Sequence, residues 1–123
     1  MTNMKKKILI ADDAAFNRMM LKDILKRAGC EVEGEAPNGK AALDVYKQLH
    51  PDLTIMDITM PEMDGLQALK EILNCDADAS VIMIAAADER TALVKCIEAG
   101  ARGFIEKPFR EADVAEAVKK VIG

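Results

Sequence analysis

Five short apolar runs recur along the chain, and each is followed by a segment whose apolar residues repeat every three or four positions. The first run, Lys7 to Ala11, ends at Asp12 and Asp13; Phe16, Met19, Met20, Ile24 and Leu25 then mark one face of a helix that stops near Ala28-Gly29. The second, Glu31 to Ala36, alternates charged with small or apolar residues, which predicts a strand at the sheet edge with one face wet. Pro37-Asn38-Gly39 turns the chain into a helix carrying Ala42, Leu43, Tyr46 and Leu49, and His50-Pro51-Asp52 ends it. The third run, Leu53 to Met56, delivers Asp57 to the turn Ile58 to Gly65, where Pro61 removes a backbone donor and Gly65 admits angles other residues resist. Leu66, Leu69, Ile72 and Leu73 follow on a helix that fades between Asn74 and Ser80. The fourth run, Val81 to Ile84, is wholly apolar, as a strand covered on both faces must be. Ala85-Ala86-Ala87 leads from it to a helix with Leu93, Cys96 and Ile97, capped at Gly100. The fifth run, Gly103 to Glu106, ends at Lys107-Pro108, and a last helix from about Arg110 carries Val114, Ala117, Val118 and Val121.

Strands alternating with helices predict an α/β fold, a parallel five-stranded sheet with helices on both faces, here a (βα)5 doubly wound domain. With 123 residues and no linker, repeat or low-complexity segment, residues 1–123 are expected to form a single domain. Charge narrows the function. A net charge of −4 argues against direct nucleic-acid binding. No apolar run approaches the roughly 20 residues a membrane span needs. The basic start, MTNMKKK, meets two aspartates too soon to be a secretory signal, so the expected compartment is the cytoplasm. The three widely spaced cysteines, Cys30, Cys75 and Cys96, show no metal-ligand spacing and read as buried thiols of a reducing compartment. The single histidine, His50, in a loop, sets aside a zinc site or a His-dependent triad. Met19, Met20, Met56 and Met83 fall at core positions.

In an open α/β sheet, ligands bind beyond the carboxyl ends of the strands. By that rule Asp12 and Asp13, Asp57 and Lys107 share one end of the sheet. Singly, each has an ordinary explanation: an Asp-Asp pair caps a helix, a strand-end Asp caps a turn, and a lysine before proline is solvated. Together, if strands one and three are neighbours, three carboxylates converge and require a cation, and an all-oxygen set suits Mg²⁺ with a phosphate as a further ligand. Asp57 then serves as a nucleophile forming an aspartyl phosphate, with Lys107 attracting the phosphoryl group.

The segments ILIADD (Ile8 to Asp13), LTIMDITMPEMDG (Leu53 to Gly65) and FIEKPF (Phe104 to Phe109) appear in this order along essentially the whole chain. In them the chain resembles the receiver domain of two-component response regulators, most of all the single-domain chemotaxis type. The resemblance implies a flavodoxin-like strand order 2-1-3-4-5, an order that periodicity does not supply. It implies phosphoryl transfer from a histidine kinase to Asp57, with Mg²⁺ held by Asp12, Asp13, Asp57 and the Thr59 carbonyl. Lys107 is then the phosphoryl-contacting lysine, with a cis peptide before Pro108. The domain catalyses its own phosphorylation and dephosphorylation without being a turnover enzyme, and signals as a monomer. Its downstream partner docks on the helix 4–strand 5–helix 5 face, Arg90 to Val121, which offers Lys95, Arg102, Arg110, Lys119 and Lys120 among acids.

One position departs from the family. The switch Thr or Ser after strand four is Ala85 here, with no Ser or Thr between Ser80 and Thr91, and the aromatic switch position holds Phe104 rather than Tyr. Backbone N–H groups such as that of Ala86 remain to read the phosphate. A lost hydrogen bond to a charged group is worth roughly 1.5–3 kcal/mol, about ten- to a hundredfold in coupling. The alternative function is therefore a phosphate sink or phosphorylation-insensitive binding module. A phosphatase of the haloacid dehalogenase type also uses an Asp nucleophile, but needs an Asp where Thr59 stands.

Overall fold

The computed structural model describes residues 6–123; the start of the basic segment noted above lies outside them. Five strands, β1 (Lys7–Ala11), β2 (Glu31–Ala36), β3 (Leu53–Asp57), β4 (Val81–Ala85) and β5 (Gly103–Glu106), form one sheet in the order β2-β1-β3-β4-β5. All four pairings are parallel. Between them run α1 (Ala15–Arg27), α2 (Gly39–Leu49), α3 (Gly65–Cys75) and α4 (Arg90–Ala99), with α5 (Glu111–Ile122) last; a single 3₁₀ turn, Ala87–Glu89, precedes α4.

Because successive side chains of a strand point to opposite faces, the apolar runs feed two cores. On one face Ile8, Ile10, Leu53, Ile55, Ile82, Ile84 and Ile105 meet Leu21, Ile24 and Leu25 of α1 and Val114 and Val118 of α5. On the other, Leu9, Ala11, Met56, Val81, Met83 and Ala85 meet Ala42 and Tyr46 of α2, Ala68, Leu69 and Ile72 of α3 and Cys96 of α4. β3 and β4 are buried along their whole length, as their unbroken apolar character requires. β2 and β5 are the two edge strands, and the register of β2 against β1 slips between Val32 and Gly34, which leaves Glu33 without an opposite residue.

Helix starts follow local chemistry. The Asn38 side chain accepts a hydrogen bond from the Ala41 N–H at 2.7 Å, and Asp64 accepts one from the Gln67 N–H at 2.9 Å, so α2 and α3 are capped where the sequence turns. In α5, Glu111 and Asp113 in the first turn and Lys119 and Lys120 in the last complement the helix dipole.

Four expectations about burial are corrected. Phe16 and Met19, read as inward-facing, are 65% and 53% exposed; α1 buries Leu21, Ile24 and Leu25 instead, so its inward face begins one turn later. Met56 and Met83 are fully buried, while Met20 is half-buried. Ile97 is also exposed, since α4 sends only Cys96 fully inward. Of the three thiols, Cys75 is exposed at the end of α3, Cys30 is half-buried, and Cys96 is buried with its thiol pushed up to about 11 by burial first. A thiol reagent at neutral pH is thus expected to label Cys75 first, Cys30 slowly, and Cys96 only after denaturation. Labelling of Cys96 in folded protein at the rate of Cys75 would contradict this packing.

Candidate functional site

The parallel register brings the carboxyl ends of β1, β3 and β5 to one edge. Asp12 follows Ala11 directly, and its N–H donates to the Ala36 carbonyl at 3.0 Å, continuing the ladder one residue beyond the strand. Asp57 ends β3 opposite Ile84 of β4. Asp12 is fully buried and Asp57 is 2% exposed, whereas Asp13 is exposed. Carboxylate oxygens of Asp12, Asp13 and Asp57 lie within 4.8 Å of one another. Lys107, beyond β5, donates from Nζ to Asp57 Oδ2 at 3.0 Å, while Asp57 Oδ1 is buried without a partner.

The electrostatics follow from that packing. Burial pushes the carboxyls of both Asp12 and Asp57 above the usual carboxylate range. For Asp57, the hydrogen bond from Lys107 opposes the rise and the Asp12 charge adds to it. For Asp12, the hydrogen bond from the Ala14 N–H, at 2.9 Å, is the main opposing influence. Burial works against the charge on Lys107, but its hydrogen bond to Asp57 and the fields of Asp57, Asp12 and Glu89 outweigh this and raise its pKa. Lys107 is therefore a fixed cation across the neutral range.

These residues fit a hard divalent cation. Three carboxylates crowd against one lysine, and an orphaned buried oxygen, Asp57 Oδ1, points to a missing positive partner. The loop between Asp57 and α3 shapes the rest of the rim. Gly65 N–H closes it on the Ile58 carbonyl at 2.7 Å, Glu62 takes the left-handed conformation (φ 64°), and Gly39 N–H ties the Met63 carbonyl at 3.0 Å. Gly65 itself is not left-handed: it is required for space, since a Cβ there would lie 2.3 Å from the Asp57 carbonyl oxygen. Thr59, exposed on this loop, donates its hydroxyl to Glu89 Oε2.

At the end of β4, Ala85 is buried and its carbonyl accepts the Lys107 N–H at 3.0 Å; the Lys107–Pro108 peptide is cis. Phe104 points outward, 53% exposed, beside a pocket of about 140 Å³ lined by Ala85, Ala86, Arg90, Leu93 and Glu106. The Ala86 N–H, expected to be free for a phosphate, donates to Glu89 Oε1 at 2.8 Å. Glu89 escaped the sequence reading because the residue three positions before it is Ala86, not the Ser or Thr that announces such a reciprocal cap. Asn17 and Arg18 were missed as well: the Asn17 amide reaches Asp12 Oδ2 at 3.3 Å, and Arg18 donates to the Asp12 carbonyl at 2.6 Å. Their helical spacing after the Asp pair is the signal that could have shown them.

A doubly wound sheet of order 2-1-3-4-5, with an acidic cluster and a lysine at its carboxyl edge, defines the receiver class. Residues 8–119 match the response regulator receiver domain, and the chain belongs to that family. It is 52% identical over 118 residues to the chemotaxis protein CheY of Thermotoga maritima, covering 96% of this chain and 98% of that protein. It is 53% identical over 119 residues to CheY of Bacillus subtilis, covering 97% and 99%. Among solved structures, the CheX–CheY–BeF₃–Mg²⁺ complex from Borrelia burgdorferi contains a chain similar at TM-score 0.89 and 35% identity, over 94% of this chain and 87% of that one. The protein is thus a CheY-like receiver domain of two-component systems.

Proposed function

We propose that this domain takes a phosphoryl group from the phosphohistidine of a cytoplasmic histidine kinase onto Asp57, and signals through a partner protein in a chemotaxis-type pathway. The observation that carries the reading is the split environment of Asp57, with Oδ2 held by Lys107 and Oδ1 buried and unpaired. An Asp57 oxygen attacks phosphorus in line with the leaving imidazole. The P–O bond forms as the P–N bond breaks, and the departing nitrogen takes a proton. Lys107 holds positive charge beside the transferring group throughout, because its neighbours keep it protonated. Asp12, Asp13, Asp57 and the Thr59 carbonyl would hold Mg²⁺, which supplies compensating charge for the phosphoryl oxygens. Near-complete burial of Asp57 keeps water away from the acyl phosphate once formed.

The partner face is proposed to be α4–β5–α5. Val94, Ile97 and Phe104 are exposed there, and so are Lys95, Arg102, Arg110, Lys119 and Lys120 on the same elements and their flanks. Apolar centres within a charged rim suit a transient protein interface. The CheX-bound relative makes a CheX-like protein one candidate partner. Among the described residues no helix is long and apolar enough to cross a membrane.

The test is intact mass after incubation with acetyl phosphate, with and without Mg²⁺, beside Asp57→Asn. One Mg²⁺-dependent phosphoryl adduct, absent in the variant, is expected. An adduct that persists in Asp57→Asn, or no adduct in folded protein that binds Mg²⁺, would overturn the assignment.

A further inference from the structure

The Glu89 carboxylate is held at the carboxyl edge of the sheet by two hydrogen bonds. Its two oxygens take two donors from different loops: the Ala86 N–H after β4 and the Thr59 hydroxyl after β3. Those loops rim the pocket of Asp57, since Ile84 pairs with Asp57 and the Ile58 N–H donates to the Ile84 carbonyl at 3.0 Å. Lys107, which donates to Asp57, lies close enough for its charge to act on Glu89 as well. Ala85 offers no hydroxyl that could draw the β4–α4 turn inward. Glu89 is also the residue from which α4 starts, with Arg90 next in the chain.

We infer that Glu89 is an internal anion clasp: it pins the β4–α4 turn while Asp57 is unmodified and is expelled when Asp57 carries a phosphoryl group. This rests on the phosphorylation of Asp57 proposed above. A phosphoryl group brings up to two negative charges and three strong acceptor oxygens to the same donors and the same lysine. The two anions compete, and the tetrahedral one, bound covalently, wins. Release of Glu89 frees the Ala86 N–H and the first turn of α4 together. The moving part is then a carboxylate pushed outward, in place of a hydroxyl pulled inward. Glu89 is a positioning residue in this scheme: it sets the competition for the donors without touching the reacting atoms.

The experiment measures binding of beryllofluoride, an unreactive phosphoryl mimic, at saturating Mg²⁺, by amide NMR of the parent, Glu89→Gln and Glu89→Ala. A glutamine side chain keeps an oxygen for the Ala86 N–H but not the charge, so Glu89→Gln separates competition from capping. The expected result is roughly three- to tenfold tighter beryllofluoride binding by Glu89→Gln. Acetyl phosphate labelling should be faster in the same proportion. The amides of residues 90–93 in the free variant should already lie part of the way toward the bound parent's positions. Unchanged or weaker binding by a folded Glu89→Gln protein, or a loss of stability in Glu89→Ala with affinity untouched, would assign Glu89 a capping role only and overturn the clasp. If the parent itself takes neither beryllofluoride nor a phosphoryl group, the phosphorylation reading fails first and the clasp falls with it. The two failures are therefore distinguishable.

Discussion

Gly65→Ala is expected to lower stability by about 3 kcal/mol or more, a fall in melting temperature of roughly 10–20 °C for a domain of this size. The added Cβ would lie 2.3 Å from the Asp57 carbonyl oxygen, 2.8 Å from Ile58 Cα and 2.9 Å from Met83 Cε. Only the last of these is the far end of a flexible side chain. The other two are backbone of the strand that carries Asp57 and of the residue after it, so relief requires β3 and α3 to separate. Overpacking against backbone is costly because interiors are close-packed and deform little. The same movement would displace Thr59 and the closing Gly65–Ile58 hydrogen bond, so phosphorylation should fall along with stability. Urea unfolding of the two proteins measures this directly. A difference below about 1 kcal/mol would mean that the loop adapts and that the close approach is not a constraint.

Asp12→Asn is expected to act in opposite directions with and without metal. Burial raises the pKa of Asp12 and Asp57 first; the Asp13 charge then adds to the rise at Asp12, and the Asp12 charge to that at Asp57. A carboxyl with a folded pKa above its unfolded value adds stability below the unfolded pKa, near 3.8 here, and loses it as pH rises through the folded value. The chelated parent should therefore weaken as pH rises from the unfolded value of 3.8 through the raised folded values. Asparagine keeps an oxygen for the Ala14 N–H while removing one of the crowded charges. Chelated Asp12→Asn should then be more stable at neutral pH by about 1 kcal/mol, with a flatter pH dependence. Millimolar Mg²⁺ should raise the melting temperature of the parent and leave the variant almost unmoved, because only a folded site with its full ligand set gains from metal. Thermal melts in chelator and in Mg²⁺, at several pH values, provide the check. A chelated variant less stable than the parent would show that charge crowding does not govern this site.

Much of this was readable from the chain because the physics involved was local. Unbroken apolar runs such as Val81 to Ile84 can only be strands covered on both faces, and Asn38 and Asp64 cap helices through their own side chains. Asp12, Asp57 and Lys107 were brought to one edge by topology alone. What escaped depended on three-dimensional neighbours. Phe16 and Met19 have the spacing of buried residues, yet α1 buries apolar side chains only from Leu21 onward. Gly65 suggested an unusual backbone angle; its role is instead the absence of a Cβ against β3. Glu89 pairs with Thr59, 30 residues away, across a turn that has no motif of its own.

The slipped register of β2 bears on how the molecule behaves when crowded. An outermost strand presents unpaired backbone groups, an invitation to ribbon-like stacking of one molecule on the next. Here that strand exposes Glu31, Glu33 and Glu35, and the irregularity at Glu33 interrupts the ladder midway. Glu35 is further engaged by Arg18 and Lys22 from α1. A second copy adding itself along this border would have to bring like charges together and match an uneven row of donors. This border is closed to such growth by one misaligned residue and the carboxylates around it.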